Sequence, residues 1–248
     1  MRKRVLEVCV DSLESAEEAK LGGADRLELC GNLMIGGTTP EYELFEQIKE
    51  ETGLEIRVLI RPRFGDFLYS EKEMGRMETQ IRTFVRKGAD GVVTGALTAE
   101  GDLNLEAMKR FMEAAEGRKV TLHRAFDMCK DPFRTLEEAK KTGVSTILTS
   151  GQEASCKQGK QRIKQLLEGC RNTPEILIGG GVTPEVIREF LQEMEATSFH
   201  MSGKKVIKSE MQYINKKVNM GLPGMDEYSI WRTDRRQIQE AARILKEV

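Results

Sequence analysis

Five ionisable residues sit inside runs that otherwise read as buried β-strands. Glu7 lies in VLEVCVD, Arg26 and Glu28 in DRLELC, Arg61 in IRVLIRPR and His123 in VTLHRAFD. A charge in an apolar strand is costly unless it is paired or hydrogen-bonded. Five of them, near the ends of different or neighbouring strands, point to one shared polar pocket. His123 can give or take a proton near neutral pH, with Glu7 or Glu28 as its orienting partner or as a second base. Arg26 and Arg61 offer planar forks for a carboxylate or a phosphate. The competing reading is a lumenal ion-pair network that balances its own charge.

Three further groups extend the set. In the loop IRPRFGDFLYS, Arg63 follows Arg61 across Pro62, and Asp66 and Tyr69 come next. Arg63 reads either as a ligand contact or as the partner of Asp66 in a capped turn. Asp127, in HRAFDMC beside His123, is a further ligand-contact candidate. Gly180 and Gly181 belong to a triple glycine, and Ser202 opens a Ser-Gly-Lys step. Loops of this kind let backbone N–H groups approach a phosphate; the plainer reading of the glycines is a tight turn. Cys9 and Cys30 are the remaining candidates, since two soft thiolates select Cu(I). By residue type alone the pair reads as packing, because free cysteine is commonly buried. His200, in SFHMSG, reads as a satisfied core histidine first and a ligand second.

These residues need a frame to hold them. Strand-like runs recur at 5–10, 26–30, 56–61, 91–94, 120–124, 146–149, 175–178 and 198–201, with amphipathic helical stretches such as 71–87 and 104–116 between them. The punctuation agrees. Ser70-x-x-Glu73 is a capping box, and Thr39-Pro40, Asp131-Pro132 and Thr183-Pro184 read as helix starts. Gly22-Gly23, Lys87-Gly88 and Thr142-Gly143 read as helix ends. The phrases GGADRLEL and KGADGVV look like one helix-to-strand joint used twice. Eight β-then-α units of this length predict an α/β protein, a (β/α)₈ TIM barrel forming one domain over residues 1–248. The fallback, a doubly wound sheet, lacks a glycine fingerprint after the first strand.

In a barrel the reactive groups stand at the C-terminal strand ends and in the loops that follow. Side chains alternate inward and outward along a strand. Glu7 therefore shares a face with Cys9, and Arg26 and Glu28 share one with Cys30. A charged face does not pack on a helical layer, so both faces are placed in the lumen and the two cysteines become neighbours at the mouth. The longest connection, about 203–232, joins the eighth strand to the last helix. It carries Tyr213, Met220, Met225, Tyr228 and Trp231, suited to packing on a second subunit or covering the mouth.

Composition narrows the function classes. Lys plus Arg is 39 and Asp plus Glu is 40, a net charge of −1, so there is no general pull toward nucleic acid or anionic membranes. No apolar run approaches the ~20 residues that span a bilayer. The start MRKRVLEVCVDSLE is broken by Glu7 and reads as a first strand, not a signal peptide. Five cysteines with no CxxC predict reduced thiols in a cytoplasmic protein.

Taken together, LEVCVDS, GGADRLELC, GGTTP, IRPR-x-GDFLYS, GADGVV-x-GALT, HRAFDMC-x-DP, LTSG, GGGV and FH-x-S occur in an order that resembles the CutC family of copper homeostasis proteins. The likeness runs from about residue 5 to residue 203, and WRTD near residue 231 also fits. Two positions depart from the family pattern: Phe64-Gly65 stands where Gly-Gly is frequent, and Ile178 where proline tends to precede the triple glycine. The resemblance implies a cytoplasmic, self-associating TIM barrel linked to copper, with Cu(I) held by the thiols of Cys9 and Cys30. The polar mouth also resembles an enzyme site. The alternative is thus a barrel enzyme of unassigned reaction, acting on a small anionic or phosphorylated molecule through its Glu, Arg and His residues.

Overall fold

The computed structural model describes residues 4–170, 173–215, 217–221 and 226–247. Eight parallel strands close into a barrel in chain order: β1 (Val5–Val10), β2 (Arg26–Leu29), β3 (Glu55–Leu59), β4 (Gly91–Thr94), β5 (Lys119–Leu122), β6 (Thr146–Thr149), β7 (Glu175–Ile178) and β8 (Ser198–Met201). The helices α1 (Leu13–Gly22), α2 (Tyr42–Thr52), α3 (Glu71–Arg86), α4 (Leu105–Ala114), α5 (Pro132–Thr142), α6 (Lys160–Cys170) and α7 (Pro184–Glu193) alternate with them, and α8 (Arg235–Glu247) closes the ring. The predicted TIM barrel is the observed fold.

The main core lies between strands and helices. Outward positions such as Leu6, Val8 and Leu27 pack there with Phe45, Phe84, Phe111 and Phe190 from the helices. The capping box at Ser70 forms, with Ser70 and Glu73 each satisfying the other's backbone N–H. Asp131 and Thr183 cap α5 and α7 as expected. Thr39-Pro40 does not start a helix: α2 begins at Tyr42 with Glu41 before it. The Thr39 hydroxyl instead accepts the Arg61 N–H at 3.0 Å, because the turn before α2 is tied to the end of β3.

The repeated Gly-Ala-Asp phrase is one joint used twice. Asp25 accepts the Leu6 N–H at 3.0 Å, and Asp90 accepts the Ile56 N–H at 2.9 Å. In each case the aspartate N–H returns a bond to the same residue's carbonyl. The preceding glycine, Gly23 or Gly88, has a positive φ that lets the helix end and the chain turn into the next strand.

The connection after β8 is not structureless. β9 (Lys204–Lys208) and β10 (Ser229–Thr233) pair antiparallel into a ribbon beside the barrel. Lys204 Nζ stands 3.3 Å from the centroid of the Trp231 ring, a cation–π contact at its base. Met225 lies outside the described residues. Among the described residues no helix is long and apolar enough to cross a membrane.

Candidate functional site

Strand register decides which charged residues meet. Glu7 is opposite Arg26 on β2 and His200 on β8, while Cys9 is opposite Glu28 and Glu28 opposite Arg57. All point into the lumen, in layers.

The lower layer is ionic and closed on itself. Arg26 pairs with Glu7 and approaches Glu55 and Glu175 at 3.9 and 3.7 Å. Arg57, which is fully buried, donates to the Thr121 and Thr146 hydroxyls at 2.9 and 2.8 Å and to Glu55 at 3.1 Å. Arg26 is therefore committed to three carboxylates beneath the mouth and has no fork turned toward a ligand. Losing one member of such a buried set costs about 3–5 kcal/mol, because the charges left behind are unpaired.

Above it lies a cavity of about 510 Å³ at the C-terminal ends of the strands, within the range of small-molecule sites. Cys9, Glu28, Arg61, His123, Asp127 and His200 line it, and Leu33, Leu59, Phe67 and Leu148 supply apolar walls. The predicted residues Glu28, Arg61, His123, Asp127 and Cys9 are thus brought together, with Glu7 directly beneath His200.

Each of these groups has a distinct electrostatic state. Burial alone would raise the Glu7 pKa, but the hydrogen bond to His200 and the charge of Arg26 prevail and hold it at about 2. His200 Nδ1 lies 2.8 Å from Glu7 Oε1. Burial opposes a charge on His200, yet Glu28, Cys9 and Glu7 outweigh it and push its pKa well above 6.5. Burial raises the pKa of Glu28, and its Oε2 has no protein partner.

His123 is the opposite case. Burial, reinforced by the nearby charge of Arg61, lowers its pKa to about 3. Its Nδ1 accepts the Ala125 N–H at 3.2 Å, so the proton of the neutral ring resides on Nε2, which has no protein partner. Gly95 leaves the room for this ring: a Cβ there would come within 3.1 Å of it. With Nδ1 occupied by the Ala125 N–H, His123 has the geometry of a fixed hydrogen-bond donor through Nε2.

The loops above the strands are knitted by two of the predicted residues. Arg61 Nη1 donates to the Gly36 and Gly37 carbonyls at 3.1 and 3.2 Å, and Nη2 to the Gly65 carbonyl at 2.8 Å. It binds the loop after β2 to the loop after β3. The Asp127 carboxylate accepts from Thr149 Oγ1 (2.5 Å), the Ser150 N–H (3.0 Å) and the Gln152 N–H (3.1 Å), and pairs with Arg124 at 2.7 Å. Its bonding capacity is filled, so it positions the loops after β5 and β6 and presents little for a ligand. Arg63 pairs with Glu73 at 2.7 Å and Asp66 at 3.0 Å and lies over Tyr69, away from the cavity lining. Gly180 and Gly181 have positive φ, and Gly180 packs on Ser150 and Arg124 instead of lining the cavity. The Ser202 carbonyl accepts from Thr233 Oγ1 at 3.5 Å, at the root of the β9–β10 ribbon.

The thiols meet as the strand alternation required. Cys9 Sγ and Cys30 Sγ are 3.8 Å apart, buried with Leu59 and Val93 in a small lumenal cluster. The Cys9 thiol donates to Glu28 at 3.5 Å and the Cys30 thiol to the Val10 carbonyl at 3.5 Å. The contact with Cys30, burial and the Glu28 charge raise the Cys9 pKa well above 9.0, so the free site carries thiols. Cys9, Glu28 and His200 present ligand atoms all within 4.8 Å of one another.

The profile of the CutC family matches residues 4–205. The chain belongs to the CutC family. A CutC-family protein of Histophilus somni is 40% identical over 242 residues, covering 98% of this chain and 99% of that protein. A human relative named copper homeostasis protein cutC homolog is 40% identical over 245 residues, 98% of this chain and 90% of that one. The crystal structure of a CutC protein from Streptococcus agalactiae superposes with a TM-score of 0.76 at 31% identity, covering 80% of this chain and 98% of that one. A thiamine phosphate pyrophosphorylase from Pyrococcus furiosus has a TM-score of 0.56 at 15% identity over 98% of this chain and 96% of that one, a likeness of fold alone.

His200 and Arg57 are the residues that sequence reasoning underrates. Both sit at lumenal parity, and that alternation is the signal by which they can be found.

Proposed function

We propose that this CutC-family chain is a copper homeostasis protein that holds Cu(I) between Cys9 and Cys30 at the barrel mouth. The observation that carries the reading is the pair of buried thiols 3.8 Å apart, brought together from two strands. Two sulfurs suit a soft monovalent ion, and His200 and Glu28 stand beside Cys9 as further donors. The name of the human relative supports the same reading. All five cysteines are free thiols, which fits a reducing, cytoplasmic setting.

The donor set also sets a pH dependence. Both thiols must lose a proton to the solvent when the metal binds, so affinity rises with pH. The test is anaerobic competition for Cu(I) against a chromogenic chelator, on wild type and on Cys9→Ser and Cys30→Ser. Stoichiometric binding that either substitution abolishes supports the site. Binding that is weak, or unchanged in both variants, overturns it.

A further inference from the structure

We propose that the cavity binds a small hydroxy-carboxylate, its carboxylate held by Arg61 Nε–H and His123 Nε2–H and its hydroxyl facing Glu28 Oε2. The site shares Glu28 with the copper reading but draws its anion donors from Arg61 and His123, not from the thiols.

Arg61 carries the argument for an anion. It is 9% exposed, and its fork donates to the carbonyls of Gly36, Gly37 and Gly65, with the buried Tyr69 hydroxyl beside it. Among the described residues it has no carboxylate counter-ion, unlike Arg26 and Arg57 one layer below, which pair with Glu7 and Glu55. A buried cation without a counter-charge is costly, and an anionic ligand removes that cost. The Nε–H is the part of the fork with no protein partner.

His123 supplies the second donor. Its ring is 4% exposed, the Ala125 N–H fixes the tautomer, and Nε2–H is left over. The two groups are neighbours, because both pack on one ring: Phe67 lies 5.1 Å from Arg61 Cζ and 4.7 Å from the His123 ring. Arg61, Phe67 and His123 all line the cavity. Two buried N–H groups without a protein hydrogen-bond acceptor, on residues that line one cavity, are the donors we assign to a planar oxyanion.

The far wall gives the second half of the ligand. Glu28 Oε2 is the third buried polar atom of this cavity without a protein partner. Glu28 is on β2 and His123 follows β5, so the two lie on different sides of the lumen. Leu59 and Leu148 lie on the wall as well. A short carbon chain with an acid at one end and a hydroxyl at the other matches that order of polar and apolar surface. A phosphate fits less well, because this wall offers side-chain donors and no glycine-rich run of backbone N–H groups; Gly180 packs on Ser150 instead.

The probes are sodium 3-hydroxypropionate and sodium 4-hydroxybutyrate, with 4-hydroxybutyramide, butyrate and inorganic phosphate as comparisons, added to the full-length chain. Binding is read by titration calorimetry and by the ¹⁵N shifts of the His123 ring. A hydroxy-carboxylate should bind and move the His123 Nε2 signal. Butyrate should bind more weakly, and 4-hydroxybutyramide should show no binding. His123→Phe, which keeps the stacking on Phe67 and removes the donor, should weaken binding about tenfold, the worth of one charge-assisted hydrogen bond. Arg61→Lys should weaken it further; because Arg61 also ties two loops together, His123→Phe is the deciding variant. Cys30→Ser, a substitution outside the cavity lining that removes one of the two copper thiols, should bind the carboxylates as wild type does, which separates this site from the copper site. Absence of carboxylate binding at millimolar concentration, preference for phosphate, or equal binding by wild type and His123→Phe would each overturn the proposal.

Discussion

Acid stability isolates the state of His123. A histidine that the fold keeps neutral must take up a proton on unfolding in acid, so its folded pKa lies below its unfolded one. Stability from this source is fully present above pH 6.5 and is lost as pH falls toward the folded value of about 3. The whole displacement from 6.5 to about 3 is worth about 5 kcal/mol. Between pH 7 and pH 5 the wild-type chain should lose about 2 kcal/mol from this group alone. In His123→Gln the titration is gone, so that part of the loss should vanish whatever the variant's own baseline stability. Urea unfolding at a series of pH values measures both slopes. Glu28 and His200 also titrate with shifted pKa values, but both proteins contain them and they cancel in the comparison. Equal losses between pH 7 and pH 5 in the two proteins would refute the reasoning. So would a ring ¹⁵N titration of His123 with a midpoint near 6.5.

Two further outcomes follow from the layers of the lumen and from its surroundings. Glu7→Gln removes the carboxylate that pairs most closely with Arg26 and that lies 2.8 Å from His200 Nδ1. It should cost about 3–5 kcal/mol at pH 7 in urea unfolding. The wild-type contribution of Glu7 should fade as pH falls from 4.5 to about 2, a change the variant should lack. The β9–β10 ribbon and its loop expose Val206, Met211, Tyr213 and Met220, and a patch of that kind marks a contact surface. The chain is expected to self-associate through it, so Met211→Asp/Tyr213→Asp should sediment as a smaller species than wild type with an unchanged circular dichroism spectrum. Identical sedimentation of the two would remove the ribbon as the interface.

The order of elements was legible from the chain because it rests on local physics. Apolar runs recur eight times, capping residues and glycine stops punctuate several of the helices between them, and each marks its own strand or helix without help from distant residues. Parity along single strands likewise placed Glu7, Cys9, Glu28 and Cys30 in the lumen and made the two thiols neighbours. The states of those groups were not legible, because each is set by residues far away in the chain. Glu7 is held ionised by Arg26 and by His200, which is 193 positions away. His123 is neutral because the barrel buries it beside Arg61. Arg61 looked like an open fork, but closing the barrel turned most of it onto the carbonyls of two loops. Arg57, four positions earlier in the same run, shares the parity of Arg61, but a single arginine near the start of a strand can equally reach solvent. Only the closed barrel, with Thr121 and Thr146 across the lumen, commits it to the interior. Alternation along one strand says which way a side chain points. What charge it carries there depends on the dielectric and the partners that the other seven strands bring.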